Sequence, residues 1–378
     1  MAKGDKGGKK DKDNGKKRGE RKERNRKTDR YGNVYDQRKD TWTARDKAEE
    51  EFGRGVAEPP PGELAEAELE VMNYKGKRGP KFKIAPSVVK FCTRMREVCG
   101  TSYRLDAGIA GEILEKDGIY SPSYSSIHKL AGKYLGTEKG DGISERAAPR
   151  TDRRSAEITD IRVPHKIKDA ELMTARVFPC GREDGPRCFA ADGTGQTLSS
   201  PGPYKKSMYG GRAKFVHHSA LVDTETLRVA AYLTASDKVG DARVLPLLLD
   251  AAERGGHAIK RVFADGAYDS FDNWNAAAGK GIEFVVNIRP AAKKGLTSFE
   301  RNEAIDIIGN IGRETRAILF GYGRRWKAEV FFSVFKRVFG DDVRARKFEM
   351  VSKCMDVKYE LYNERQEILL RHLRGLGN

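Results

Sequence analysis

The chain has no apolar run approaching the roughly 20 residues that a membrane-spanning helix requires. Its first residues also lack the apolar core of a secretory signal. The expectation is an intracellular, cytoplasmic protein with no membrane partner. Cysteine is scarce: Cys92, Cys99, Cys180, Cys188 and Cys354 form no CxxC pair, which argues against a disulfide scaffold and fits reduced thiols. The 6 histidines do not fall at ligand spacing near these cysteines, so a Cys/His zinc site is not expected. No GxxxxGK[ST] string follows the glycine-rich stretch Gly193-Thr-Gly195, so that stretch is not a P-loop. Acidic residues are outnumbered, 55 against 72 Lys and Arg, which leaves a formal charge of +17 and a pI near 9.5. Such an excess implies an anionic partner, most simply nucleic acid.

Large apolar residues are missing from residues 1–30 apart from Met1, and this stretch carries 14 Lys/Arg against 6 Asp/Glu. It cannot bury enough surface to offset the entropy of ordering. Residues 1–60 are therefore expected to be a basic, largely disordered arm, either gripping phosphates without specificity or serving as a solubilising tail. Residues 61–136 read as a helical domain. Val88, Val89, Phe91, Cys92 and Met95 recur at helical spacing, and Leu105, Ile109, Ile113 and Leu114 mark a second helix. Ser121-Pro122 reads as the N-terminal signal of a third helix, 123–135. Two helices across a short Gly/Pro turn suit a helix-turn-helix, in which Ser123, Ser125, Ser126, His128 and Lys129 could contact DNA. An ordinary helical bundle fits the same pattern. Residues 137–160 are polar and charged and read as a linker.

From 161 to 345 short apolar runs alternate with helical patterns. Strands are expected at 187–192, 214–222, 227–234, 259–264 and 283–288, with helices at 241–254 and 270–278. A helix follows around Glu329, and a long helix is expected over roughly 347–373 within a C-terminal segment 346–378. This order is that of an α/β protein.

The stretch Tyr322 to Lys336 reads as a helix. On it Tyr322, Arg325, Glu329 and Lys336 share a stripe about 60° wide. Val330, Phe331, Val334, Phe335 and Val338 take the opposite, core-facing side. Ser333 is a lesser member of the polar stripe. Asp192 and Asp265 each end an expected strand. Either Asp-Gly pair alone would be an ordinary turn. Two aspartates and a glutamate on rigid elements are nevertheless the donor set that two divalent ions about 3.5–4 Å apart require for phosphodiester cleavage. His217-His218, in a strand, face opposite sides, one toward the sheet packing and one toward the site or solvent; a ligand role for them is the lesser reading.

These strings together resemble a known family. Tyr322-x-x-Arg325-x-x-x-Glu329, followed after six intervening residues by Lys336, resembles the YREK motif of the DDE transposases of prokaryotic insertion sequences. Asp192-Gly-Thr-Gly-Gln-Thr-Leu198 is similar to the family's first-Asp motif. Ala264-Asp-Gly-Ala-Tyr-Asp-Ser270 is similar to its second, with Gly266-Ala267 in reversed order. The resemblance implies a ribonuclease-H-like core over 161–345, a five-stranded mixed sheet with helices on both faces. It implies Asp192, Asp265 and Glu329 as catalytic metal ligands for two Mg²⁺ (or Mn²⁺) ions, and Tyr322, Arg325 and Lys336 as contacts to DNA phosphates. It further implies a homodimer acting on double-stranded DNA, both terminal inverted repeats and target, in a nucleoid-associated setting. The interval between Asp265 and Glu329 leaves no space for the large β-insertion of some relatives. Two other readings stay open: a nuclease or resolvase of the same fold without strand transfer, and a non-catalytic basic DNA-binding protein.

Overall fold

The computed structural model describes residues 26–28, 34–73, 82–100, 103–134, 173–180, 185–198, 215–236, 239–240, 243–345 and 348–375. The expected linker 137–160 and, of the expected arm 1–60, residues 1–25 and 29–33 lie outside them. The chain forms two compact units, residues 1–55 with 365–378 and residues 56–364.

In the first unit, strands β1 (Arg26–Thr28) and β2 (Val34–Asp36) pair antiparallel ahead of helix α1 (Gln37–Ala57). Residues 37–57 of the expected arm thus form a helix. Ala44, Ala48 and Phe52 recur every four residues and are buried, a stripe hidden in the sequence by the charges around it. The end of the chain's last helix belongs to the same unit, where Arg365 pairs with Glu49, and Arg371 and His372 both reach Glu51 at 2.7 Å.

The second unit begins with helices α2 (Gly62–Met72), α3 (Pro86–Cys99), α4 (Tyr103–Lys116) and α5 (Tyr124–Tyr134). Gly100 and Gly118 take left-handed conformations (φ 65° and 69°) that end α3 and turn α4 toward α5. α3, α4 and α5 pack mutually around Val89, Cys92, Leu114, Ile127 and Ala131.

A mixed seven-stranded sheet follows, built from β3 (Met173–Val177), β4 (Arg187–Leu198), β5 (Phe215–Asp223), β6 (Val229–Ser236), β7 (Ile259–Ala264), β8 (Glu283–Val286) and β9 (Asp342–Val343). The order is β3-β6-β5-β4-β7-β8; β4 pairs antiparallel with β5 and parallel with β7, and β9 pairs with the outer end of β4. All five expected strands are present, and β3 and β9 join them. Between β5 and β6, Asp223 Oδ1 accepts from the amides of Glu225 (2.7 Å) and Thr226 (3.0 Å), and Leu227 adopts φ 57° to close the hairpin.

Helices α6 (Leu245–Arg254), α7 (Phe271–Ala278) and α8 (Phe299–Ile311) share one hydrophobic core with one face of the sheet, including Leu248, Trp274, Phe284 and Ala304. Helix α9 (Arg313–Leu319) blunts the β8 edge, where Arg316 donates to Val286 O (3.2 Å) and Arg313 to Ile288 O. The opposite face carries α10 (Trp326–Phe339) and the 27-residue α11 (Phe348–Arg374). Tyr359 of α11 stacks on Tyr232 at 3.8 Å, and Asn363 bonds both backbone groups of Val229 at 2.8 Å, standing in for a strand partner. The helical region 61–136 and the α/β core, expected as separate domains, lie within one unit.

Candidate active site

The last register pair between the parallel strands β4 and β7 is Ala191 with Ala264. The next residue on each is Asp192 and Asp265, so the two aspartates emerge from neighbouring strands, whose backbones run about 4.8 Å apart. Their side is fixed by the pleat. Ala191 and Ala264 belong to the core under α6 and α7, whereas Ala190 and Phe263 belong to a small cluster with Ala328 of α10. One step beyond the alanines returns both aspartates to the α10 face.

Asp192 does not end its strand. β4 continues through Gly193-Thr-Gly195 to Leu198 because β5 and then β9 supply partners, with Asp192 opposite Ala220. Asp192 therefore sits where β7 leaves β4 and β9 has not yet joined it. Its Oδ1 accepts from Gly193 N (2.9 Å). Asp265 caps a 3-10 turn, Gly266–Tyr268, through Ala267 N to Oδ1 (2.8 Å). A Cβ on Gly266 would lie 3.0 Å from Asn287 O, which accounts for glycine directly after the aspartate here.

The second aspartate of the string has a role the spacing did not reveal. Asp269, its carboxylate 1 % exposed, takes a two-pronged bond from Arg301 (2.8 and 3.0 Å) and one from Trp274 Nε1 (3.0 Å). Burial pushes its carboxyl up, but the bonds from Arg301 and Trp274 outweigh this and leave it below the ordinary aspartate range. It locks the loop that presents Asp265 onto α8.

The stretch around Glu329 is not one continuous α-helix. Gly321 is left-handed (φ 68°), Tyr322–Arg325 forms a 3-10 turn, and α10 starts at Trp326. The buried face is also rotated from the expected one: Ala328, Phe331, Phe332, Phe335 and Phe339 are buried, whereas Val330, Val334 and Val338 are half-exposed. The small Ala328 lets the helix approach Ala190 and Phe263, while Phe331 and Phe335 turn toward Tyr359 and Tyr362 of α11.

Glu329 remains on the open side, its side chain 54 % exposed and paired with Arg325. Burial alone would lower the Arg325 guanidinium, yet Glu329, Tyr322 and Asp192 together raise it. The Tyr322 hydroxyl is raised first by burial and further by Asp265 and Glu329. Tyr322 and Arg325 thus lie in the electrostatic field of all three acids. Lys336 stands about two turns along the helix, paired with Asp341 at 3.0 Å, and Ser333 is exposed between it and Glu329.

His218 is fully buried among Phe332, Phe335 and Tyr359, with Nδ1 2.7 Å from the Tyr359 hydroxyl; burial holds it well below the ordinary histidine range, hence neutral. It is a packing residue. His217 is half-buried on the other side of β5. On α5 the helix starts one residue later than expected, with Ser123 rather than Ser121 at its cap: Ile127 N donates to Ser123 O (3.0 Å) and Ser126 N to Ser123 Oγ (3.4 Å). Ser123, Ser125, His128 and Lys129 are exposed and Ser126 half-buried, about ordinary for a surface helix.

Among the described residues, no three Asp, Glu, His or Cys side chains gather closely enough to hold a metal. Two carboxylates emerge side by side from the sheet and the third is drawn to Arg325. All three side chains carry carboxylate oxygens, the donor chemistry that hard divalent ions take. Residues 183–355 match the family model described as Transposase DDE domain. No curated protein matches the chain.

Proposed function

We propose, from the match of residues 183–355 to the Transposase DDE domain model, that this chain is the DNA transposase of an insertion sequence. It binds terminal inverted repeats, nicks them by hydrolysis and joins the freed 3′-hydroxyl to target DNA by transesterification. The observation that carries the reading is the pairing of Ala191 with Ala264, which starts Asp192 and Asp265 from adjacent positions on the face covered by the Glu329 helix. The arrangement of antiparallel β6-β5-β4 followed by parallel β7 and β8 supports a ribonuclease-H-like core.

Asp192, Asp265 and Glu329 are assigned as ligands for two Mg²⁺ or Mn²⁺ ions, which when bound activate the attacking oxygen and stabilise the leaving one. Arg325 and Lys336 are assigned to phosphates of the transposon end, with the guanidinium suited to a two-pronged grip and the ammonium to a point contact. Tyr322 donates its hydroxyl to a phosphate oxygen. In this scheme a phosphate arriving at Arg325 competes with Glu329 for the guanidinium and frees that carboxylate to face Asp192 and Asp265. Ser123, Ser125, Ser126, His128 and Lys129 of α5 are assigned to DNA outside the reacting centre.

Two ends must be processed together, so the working form is a homodimer on double-stranded DNA. Among the described residues no helix is long and apolar enough to cross a membrane, and the proposed place of action is the nucleoid in the cytoplasm. The test supplies pre-cut ends bearing 3′-hydroxyls, together with target DNA and Mg²⁺. Joined products are expected. Cleavage of uncut ends without joining would instead make the protein a nuclease or resolvase.

A further inference from the structure

The segment that follows the Glu329 helix is held through nearly all of its carbonyl groups. Lys358 of α11 donates Nζ to Phe339 O (3.2 Å) and Asp342 O (2.9 Å). Gln196 of β4 donates to Gly340 O (2.8 Å), and Thr197 N reaches Asp341 O (3.2 Å). From the other side Arg96 of α3 donates to Arg344 O (3.0 Å). Glu97 lies between the two cations, 3.2 Å from Arg96 Nη1 and 3.8 Å from Lys358 Nζ.

Arg96, Glu97 and Lys358 are 3 %, 6 % and 1 % exposed. Burying three charges is costly, and well-packed apolar residues of the same volume serve stability as well or better. The trio's geometry has a different consequence. It puts net positive charge against the negative end of the α10 dipole and ties that end to two other helices.

We propose that Lys358, held by Glu97 and assisted by Arg96, is a positioning residue that sets the angle of α10 over the sheet and so the approach of Glu329 to Asp192 and Asp265. The inference rests on the assignment of Glu329. Ten residues separate Glu329 from Phe339, about 15 Å of helix. A tilt of about 10° at the clamp would move Glu329 by about 2–3 Å over that length, several times the roughly 0.5 Å tolerance of a catalytic constellation. The other end of α10 follows left-handed Gly321 and the 3-10 turn and has no side-chain cap; it is held instead by Ala328 packing on Ala190 and Phe263. Because α3 packs with α5, the same clamp joins the helical region that carries the candidate DNA contacts to the catalytic helix.

The experiment compares Lys358→Met and Lys358→Arg with the unaltered full chain. Single-turnover cleavage of end DNA at saturating DNA, DNA affinity, and hydrogen exchange over residues 326–339 are measured. For Lys358→Met the expected result is a cleavage rate at least tenfold lower, DNA affinity within twofold, and exchange near Phe339 at least tenfold faster. Lys358→Arg is expected to recover most of the rate, since its guanidinium can still donate to both carbonyls. Cleavage within twofold of the unaltered chain, or unchanged exchange, overturns the proposal. If Lys358→Met does not fold, Glu97→Gln takes its place: a severalfold slower rate at unchanged DNA affinity supports the clamp, and an unchanged rate overturns it. Asp192→Asn is assayed alongside. If it also cleaves normally, the catalytic assignment has failed, while the exchange measurement still judges the clamp.

Discussion

Asp269→Asn preserves the shape of the side chain and removes its charge, leaving Arg301 as a cation 8 % exposed without its carboxylate. Removing one partner of a buried pair typically costs about 3–5 kcal/mol. Arg301 keeps its bond to Lys293 O (2.9 Å) and its place over the Phe271 ring (4.8 Å), so the lower end, about 3 kcal/mol, is expected. At roughly 2–4 °C per kcal/mol for a domain of this size, Tm falls by about 6–12 °C. The pH dependence has a definite sign. The folded-state pKa of Asp269 is depressed, so its contribution is complete above the unfolded value near 3.9 and is lost as pH falls through the folded value. Urea unfolding at pH 7 and at steps below about pH 4 measures both effects. The gap between Asp269→Asn and the unaltered chain should narrow on acidification. A cost under about 1 kcal/mol at pH 7, or a gap that stays constant below pH 4, refutes the reasoning.

Three further outcomes follow from the same geometry. Gly266→Ala pushes a methyl group against Asn287 O and should cost about 1–2 kcal/mol, read as a lower urea midpoint; a neutral substitution would show that the loop has slack. Arg325→Gln releases Glu329 and should tighten Mn²⁺ binding to the DNA-free chain about three- to tenfold by calorimetry. Lys336→Ala, which removes a charge paired elsewhere, should change Mn²⁺ binding less; equal effects would reduce the Arg325 pairing to general charge. Lys129→Ala should weaken DNA binding evenly across sequences and lower the salt-dependence slope by about one, whereas an unchanged slope removes this part of α5 from the interface.

The sequence made the central strands legible because their apolar runs are bounded by turn residues, and β7 starts and ends where its pattern does. β3 and β9 were missed for different reasons. Met-Thr-Ala-Arg-Val is short, although its alternation and the following Pro179 and Gly181 were the available signal, whereas two residues of β9 become a strand only because β4 offers them an edge. Pairing with β5 explains why Gly193-Thr-Gly195, which looks like a turn, is extended. The polar stripe of the Glu329 helix was visible as a spacing. Its core face was misjudged because that face depends on α11, whose Tyr359 and Tyr362 recruit Phe331 and Phe335 at long range. α8 was hidden by its exposed acids, although Ser298 at its cap and Ala304, Ile305 and Ile308 at helical spacing were the available signal. The Arg96-Glu97-Lys358 clamp joins residues more than 250 positions apart, and no local pattern reveals it.

The central claim is that three acids from two strands and one helix act as a single metal-holding set. Its most direct measurement is Mg²⁺-dependent cleavage of end-containing DNA by folded Asp192→Asn, Asp265→Asn and Glu329→Gln, each checked for retained DNA binding. The account predicts that each loses more activity than the roughly 10–100-fold that changes outside the ligand shell produce, with DNA affinity preserved. Near-normal cleavage by any one of them contradicts it.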